Sequence, residues 1–171
     1  YEKNTSLVGS EMCIRDRYYD FNYEIIEEIF VKTKKNFINQ GYQLIFIPSM
    51  RTPQRIIDKA LNFFDDDQII IQDIDKKAYL SSLKLANHII VTCDSTSMIS
   101  EAAMSGRPIY VAQMPAIKKN IRFKKFFELF KSLEIIKNLE DRVEEWNYKK
   151  LNETDRISGY IEKQFKDYDF S

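Results

Sequence analysis

His88–Ala112 reads HIIVTCDSTSMISEAAMSGRPIYVA. An apolar run, HIIVT, stops at Asp94, Ser95, Thr96 and Ser97. Met98, Ile99, Ala102 and Ala103 then recur at helical spacing, and Gly106 and Pro108 introduce a second apolar run, PIYVA. Continuous apolar strands are buried on both faces, which is the habit of parallel sheets whose strands are joined by crossover helices. The stretch predicts a strand, a helix over STSMISEAAMS closed by Gly106, and a second strand reached by a right-handed crossover.

The alternation continues in both directions. Phe21 to Asn39 carries Ile25, Ile29, Phe30 and Phe37 at mostly helical spacing, with acids early and lysines late as the helix dipole prefers. Gly41 suits a left-handed cap, and YQLIFIP predicts a buried strand of about six residues. Thr52 as N-cap and Pro53 at the first helical position start a helix just after Arg51. QIIIQ is a short strand, and a helix opens near Asp73 or Asp75. Beyond PIYVA, residues 117–133 predict a basic amphipathic helix, EDRVEEWNY is acidic and aromatic, and NETDRISGYIEKQF is a last helix. The expectation is an α/β fold, a Rossmann-like open parallel sheet with helices on both faces.

Composition narrows the function. The 171 residues, 44% hydrophobic and 30% charged, suffice for one domain with a real core. Lys+Arg and Asp+Glu balance at 26 each, so no global field favours nucleic acid, and no nucleic-acid partner is expected. The apolar runs fall far short of the roughly 20 residues that span a bilayer. Cys13 and Cys93 do not make a disulfide framework and suit a reducing, cytoplasmic setting. His88 is the single histidine, which leaves no material for a His-based triad or a zinc site. Four glycines are too few and too scattered for a Walker or dinucleotide fingerprint.

Residues 6–17, SLVGSEMCIRDR, have neither helical nor strand periodicity and resemble a translated sequencing-adapter scar. Residues 1–17 are therefore expected to be a non-native leader, with the domain over 18–171 shortened at its N-terminus.

In an open parallel sheet, ligands bind outside the carboxyl ends of the strands. That edge selects two loops, PSMRT at Pro48–Thr52 and CDSTS at Cys93–Ser97. A helix opening at Ser95 or Thr96 offers unpaired N–H groups and a positive dipole end to a phosphate. Ser95, Thr96 and Ser97 add hydroxyls, and Arg51 adds a forked cation. Glu101, four residues beyond Ser97, shares its helix face and suits the hydroxyls of a ribose. Together these would cradle a nucleotide diphosphate. Each also has a plainer role: Ser95 or Asp94 as N-cap, Arg51 as partner of an acidic loop, Glu101 as an exposed helix position, and Asp73 and Asp75 as caps. Cys93 reads as a small semi-buried residue and His88 as a satisfied structural histidine. The 117–133 helix either packs its apolar face into the domain or lies on a membrane surface.

SMRTP, HIIVTCDSTSMISEAAMSGRPIYV, RFKKFFELF and WNYKKLNETDRIS, in this order, resemble the mitochondrial-fission family named for elongated mitochondria, whose members are similar to glycosyltransferases of the B fold. The resemblance runs over roughly Tyr18 to Phe165 and is most specific at Asp94–Pro108. It implies the C-terminal, nucleotide-sugar-binding half of a two-domain protein. Ser95, Thr96 and Ser97 would face the diphosphate, Glu101 the ribose, and Arg51 the phosphates or the interdomain cleft. No cofactor and no obligatory metal is implied. The partners are a nucleotide sugar and an N-terminal domain of the same chain, with peripheral membrane contact through 117–133. Catalysis would need a base from that other domain, so this part alone is expected to be inactive. The alternative is a non-catalytic scaffold in membrane or organelle division, with Phe126 and its neighbours as contact surface.

Overall fold

The computed structural model describes residues 19, 20, 22–140 and 143–166; the 1–17 leader lies outside them. Helix α1 spans Tyr23–Asn36. Asn22 Oδ1 caps it by accepting the Glu24 N–H at 2.8 Å. Ile26, Phe30 and Thr33 form its buried stripe, with Lys34 and Lys35 in the last turn. The expected single helix to Asn39 instead ends at Asn36 and gives way to a 3-10 turn, Ile38–Gln40. Phe37 is drawn out of helical register into a ring cluster with Tyr42, His88 and Tyr110. Gly41, at φ 90°, closes the turn with the left-handed geometry its position predicts.

The remaining elements are β1 (Ile45–Phe46), α2 (Gln54–Phe63), β2 (Ile69–Ile70), α3 (Lys76–Leu85), β3 (Ile89–Thr92), α4 (Thr96–Ala103), β4 (Ile109–Ala112), α5 (Ile121–Ser132), β5 (Ile136–Asn138) and α6 (Glu153–Lys166). All strand pairs are parallel, β1 with β2 and β3 with β4 with β5. The α/β class and open parallel pairing follow the expectation, with several corrections. Pro53, not Thr52, is the N-cap of α2, and Thr52 Oγ1 accepts the Ser49 N–H at 3.0 Å instead. Helix α5 begins at Ile121 because Asn120 Oδ1 accepts the N–H groups of Arg122 and Phe123. Strand β1 pairs over Ile45–Phe46 alone, and Ile45 is 38% exposed. Strand β5 is unanticipated. The chain reaches it through a Schellman turn in which Glu134, at φ 54°, donates to the Lys131 carbonyl and Ile135 to the Phe130 carbonyl, each at 3.0 Å.

The sheet is divided. Strands β1 and β2 form one piece and β3, β4 and β5 the other. An apolar slot between them is lined by Leu44–Ile47 from one side and Ile89–Thr92 from the other. Across the slot the order is β2, β1, β3, β4, β5. Right-handed crossovers that step outward in opposite directions put α1 and α2 on one face and α4 and α5 on the other. Tyr110, Ala112, Leu139 and Phe37 form a small cluster with Ile29, Tyr42 and Trp146. The larger core joins Ile26, Phe30, Ile56 and Phe64 to Val91, Ile99, Val111 and Phe130, bridging the two layers through the slot. At the amino edge, His88 sits among Phe37, Tyr42 and Tyr110, with Nε2 at 3.2 Å from the Tyr42 hydroxyl and 2.9 Å from Glu145 Oε1. It packs as a structural residue, but the expectation that it is satisfied is not met: among the described residues its buried Nδ1 has no hydrogen-bond partner.

Candidate functional site

The strand order reverses between β1 and β3, and the loops leaving their carboxyl ends meet there. This is the switch point at which open α/β sheets form ligand crevices. The first loop is held by its own hydroxyls: Thr52 N–H donates to the Ser49 carbonyl at 2.9 Å, Ser49 N–H to Thr52 Oγ1 at 3.0 Å and Arg51 N–H to Ser49 Oγ at 3.3 Å. Buried Pro48 precedes them. So anchored, Arg51 extends to the second loop, where Nη1 donates to the Asp94 carbonyl oxygen at 2.8 Å and Nε lies 3.5 Å from Asp94 Oδ2.

The second loop continues β3. Cys93 N–H donates to the Ala112 carbonyl at 3.0 Å, and Thr92 Oγ1 donates to Asp94 Oδ1 at 2.6 Å. Ser95 is the N-cap of α4: its Oγ accepts the Met98 N–H at 3.4 Å, and the residue is 4% exposed. Its hydroxyl therefore serves the helix. Thr96 is half-buried and Ser97 exposed, and as the first helical residues their N–H groups have no intrahelical acceptor. Glu101 is exposed on the same helix. Arg51, Ser95, Thr96 and Ser97 are thus brought to one edge, with Glu101 a turn further along α4. The plainer role of Arg51, partner of an acidic loop, is realised through Asp94.

Two tyrosines that carry no motif stand beside these residues. Burial, reinforced by the charges of Cys93 and Asp94, pushes the Tyr19 hydroxyl up to about 12. The backbone of Tyr19 bridges Ala116, and Asp20 N–H donates to the Pro115 carbonyl at 3.0 Å, so the chain enters α1 along this edge. On α3, the Tyr79 hydroxyl is buried and has no hydrogen-bond partner among the described residues. Burial, then the nearby Glu101 carboxylate, holds it above the usual tyrosine range. Cys93 is fully buried, and burial raises its thiol to about 11 despite the Met114 N–H that donates to Sγ at 3.2 Å. It is a core residue and no nucleophile at neutral pH. Asp75 is a cap, its Oδ1 accepting the N–H groups of Lys77 and Ala78.

Phe126 is half-buried and packs into the core beside Phe130, their centroids 4.1 Å apart, so it offers little contact surface. The outward residues here are Ile117, Ile121, Leu129 and Leu133. Among the described residues, no helix is long and apolar enough to cross a membrane.

Comparison with known proteins settles the family. The mitochondrial fission ELM1 family matches residues 14–165. The chain belongs to this family. An uncharacterized protein of Rickettsia prowazekii is 30% identical over 159 residues, covering 88% of this chain and 44% of its own. The mitochondrial fission protein ELM1 of Arabidopsis thaliana is 31% identical over 121 residues, covering 68% of this chain and 28% of its own. The chain therefore spans less than half the length of these relatives. No solved structure matches it.

Proposed function

We propose that this ELM1-family chain is the nucleotide-sugar-binding half of a glycosyltransferase-like protein. The observation that carries the reading is the meeting of the Arg51 loop and the α4 N-terminus at the sheet's switch point. The diphosphate sits against the N–H groups of Thr96 and Ser97 and the Ser97 hydroxyl, with Arg51 supplying the cation. Glu101 accepts from the ribose hydroxyls. Helix dipole and guanidinium favour departure of a diphosphate leaving group, while the acceptor and its base belong to the N-terminal half of the longer protein, in the cytoplasm. The experiment is calorimetric titration of UDP-, GDP- and ADP-sugars into the chain and its Glu101→Ala variant. We expect one nucleotide to bind and the variant to weaken it about tenfold, or ~1.4 kcal/mol. Absence of binding by every nucleotide, to the chain alone and to the chain joined to its N-terminal half, overturns the reading.

A second reading, a non-catalytic module at a dividing membrane, is favoured by Ile121, 72% exposed, and its exposed neighbours Lys124 and Lys125. It also accords with the name of the Arabidopsis relative, a mitochondrial fission protein. Cosedimentation with phosphatidylserine vesicles, lost in Ile121→Asp, together with silence in the nucleotide titrations, would select it.

A further inference from the structure

Beside the candidate site, Tyr79 carries a polar group that neither loop uses. It stands in the first turn of α3, where its N–H donates to the Asp75 carbonyl at 3.0 Å. That turn follows β2 and so opens at the carboxyl edge of the sheet, as α4 does after β3. Tyr79 lines the slot together with Ser49, Thr52 and Thr92 at that edge and with Met98 and Ala102 of α4. Glu101 lies between those two α4 residues in the chain. The Tyr79 hydroxyl is buried and has no hydrogen-bond partner among the described residues, an uncommon state for a buried donor. Burial and the Glu101 carboxylate both disfavour its phenolate, so at neutral pH it keeps the proton it can donate.

We propose that Tyr79 is a positioning residue that makes the nucleotide site selective for ribose. When a nucleotide binds, the Tyr79 hydroxyl donates to one oxygen of the Glu101 carboxylate and leaves the other to accept from the 2′- and 3′-hydroxyls of the sugar. The inference rests on the nucleotide reading of the same site and adds a residue and a selectivity to it. Glu101 is exposed, so unaided it samples several rotamers in water, and ordering it costs affinity. A charge-assisted bond from Tyr79, whose main chain is fixed in the first turn of α3, offsets much of that cost. The same bond sets the selectivity. A carboxylate free to swing recovers water when a sugar hydroxyl is missing, whereas a pinned one is left with an unmet acceptor. Deoxyribonucleotides are thus disfavoured by lost hydrogen bonding and not by size.

The test compares UDP, GDP and ADP with their 2′,3′-dideoxy analogues by calorimetric titration into the chain and into Tyr79→Phe, which keeps the ring and removes only the hydroxyl. The parent should prefer the ribose form of the nucleotide it binds. Tyr79→Phe should weaken that ribonucleotide and not its dideoxy analogue, cutting the preference about tenfold. Equal weakening of both forms means a merely structural role, and an unchanged preference means no role; either overturns the proposal. Because Tyr79 acts through Glu101, adding Tyr79→Phe to Glu101→Ala should change ribonucleotide affinity by less than about twofold. A further tenfold loss in the double variant overturns the proposal as well. If none of these nucleotides binds the chain, alone or joined to its N-terminal half, the nucleotide reading falls and this role with it. Binding with an unchanged preference in Tyr79→Phe sinks the role of Tyr79 alone.

Discussion

Arg51 Nη1 donates to the main-chain carbonyl oxygen of Asp94 at 2.8 Å, while its Nε stands 3.5 Å from the carboxylate of the same residue. One guanidinium thus grips backbone and side chain of a loop that follows a different strand, and the carboxylate is almost wholly buried. Arg51→Ala leaves that carboxylate without its cation and frees two loops at once, so unfolding stability should fall by about 2 kcal/mol. Urea denaturation reads this directly. Arg51→Lys should recover only part of it, because an ammonium cannot reach both acceptors with the fixed fork of Arg51.

Asp94 also competes for the cation that the nucleotide reading requires. If a diphosphate binds at the start of α4, it enters beside a resident negative charge. Asp94→Asn keeps the shape, removes the charge and should tighten UDP binding about tenfold at low salt. Unchanged or weaker affinity in the titration would show that Asp94 belongs to the site as an acceptor.

The alkaline limb of stability should report Cys93. Burial pushes its thiol from the ordinary 9.0 up to about 11 in the folded state. The folded state therefore holds its proton more tightly than the unfolded state. The associated stability is fully present below pH 9.0 and is lost as the pH rises to about 11. Tyr19, raised from 10.0 to about 12, extends the same decline upward. Urea midpoints measured from pH 8 to pH 11 should fall less steeply in Cys93→Ala than in the parent. Equal slopes in the two proteins would assign the decline elsewhere.

The β3–α4–β4 unit is legible because its signals agree: Ile89 and Val91 are buried, Ser95 stands where a cap is needed, and Gly106 takes a left-handed φ of 75° after α4. The convergence of Arg51 with the CDSTS loop is legible for a topological reason, since both loops leave carboxyl strand ends. That Asp94 takes the cation is not, because spacing along the chain carries no information on a contact 43 residues apart. YQLIFIP shows the apolar run of a central strand, yet β1 pairs on one side only and stays short. Strand β5 escapes notice because Lys137 interrupts a three-residue element, and Glu134 stands where a turn normally shows glycine.

That glutamate and Gly41 make a pair of opposite tests. Glu134 holds φ 54° at the Schellman position, which strains any residue with a Cβ, so Glu134→Gly should stabilise the chain by about 0.5 kcal/mol net of unfolded-state entropy. Gly41 has φ 90°, and a Cβ there would meet nothing within 4 Å. Gly41→Ala should therefore destabilise by about 1 kcal/mol through the backbone alone. Thermal melts should move in opposite directions. A change of the same sign in both would discredit the assigned turn geometry.

Tyr110, 2% exposed on β4, provides the attachment for the segment leading to α6. Its hydroxyl donates to the Glu144 carbonyl and accepts the Glu144 N–H, both at 2.7 Å, and its ring lies 5.1 Å from that of Trp146. Tyr110→Phe keeps the ring packing but leaves two main-chain groups of Glu144 without this partner, a loss of about 1–3 kcal/mol. The loss should be local first, because β4 itself remains paired on both edges. Limited proteolysis should therefore cut near residues 143–151 faster in the variant, before any change in far-ultraviolet circular dichroism. Cleavage at the parent rate would mean that the other anchors of the segment, Trp146 Nε1 on the Glu134 carbonyl at 2.8 Å, Glu145 on His88 at 2.9 Å and the Tyr148 hydroxyl on the Arg107 carbonyl at 3.0 Å, suffice to hold it.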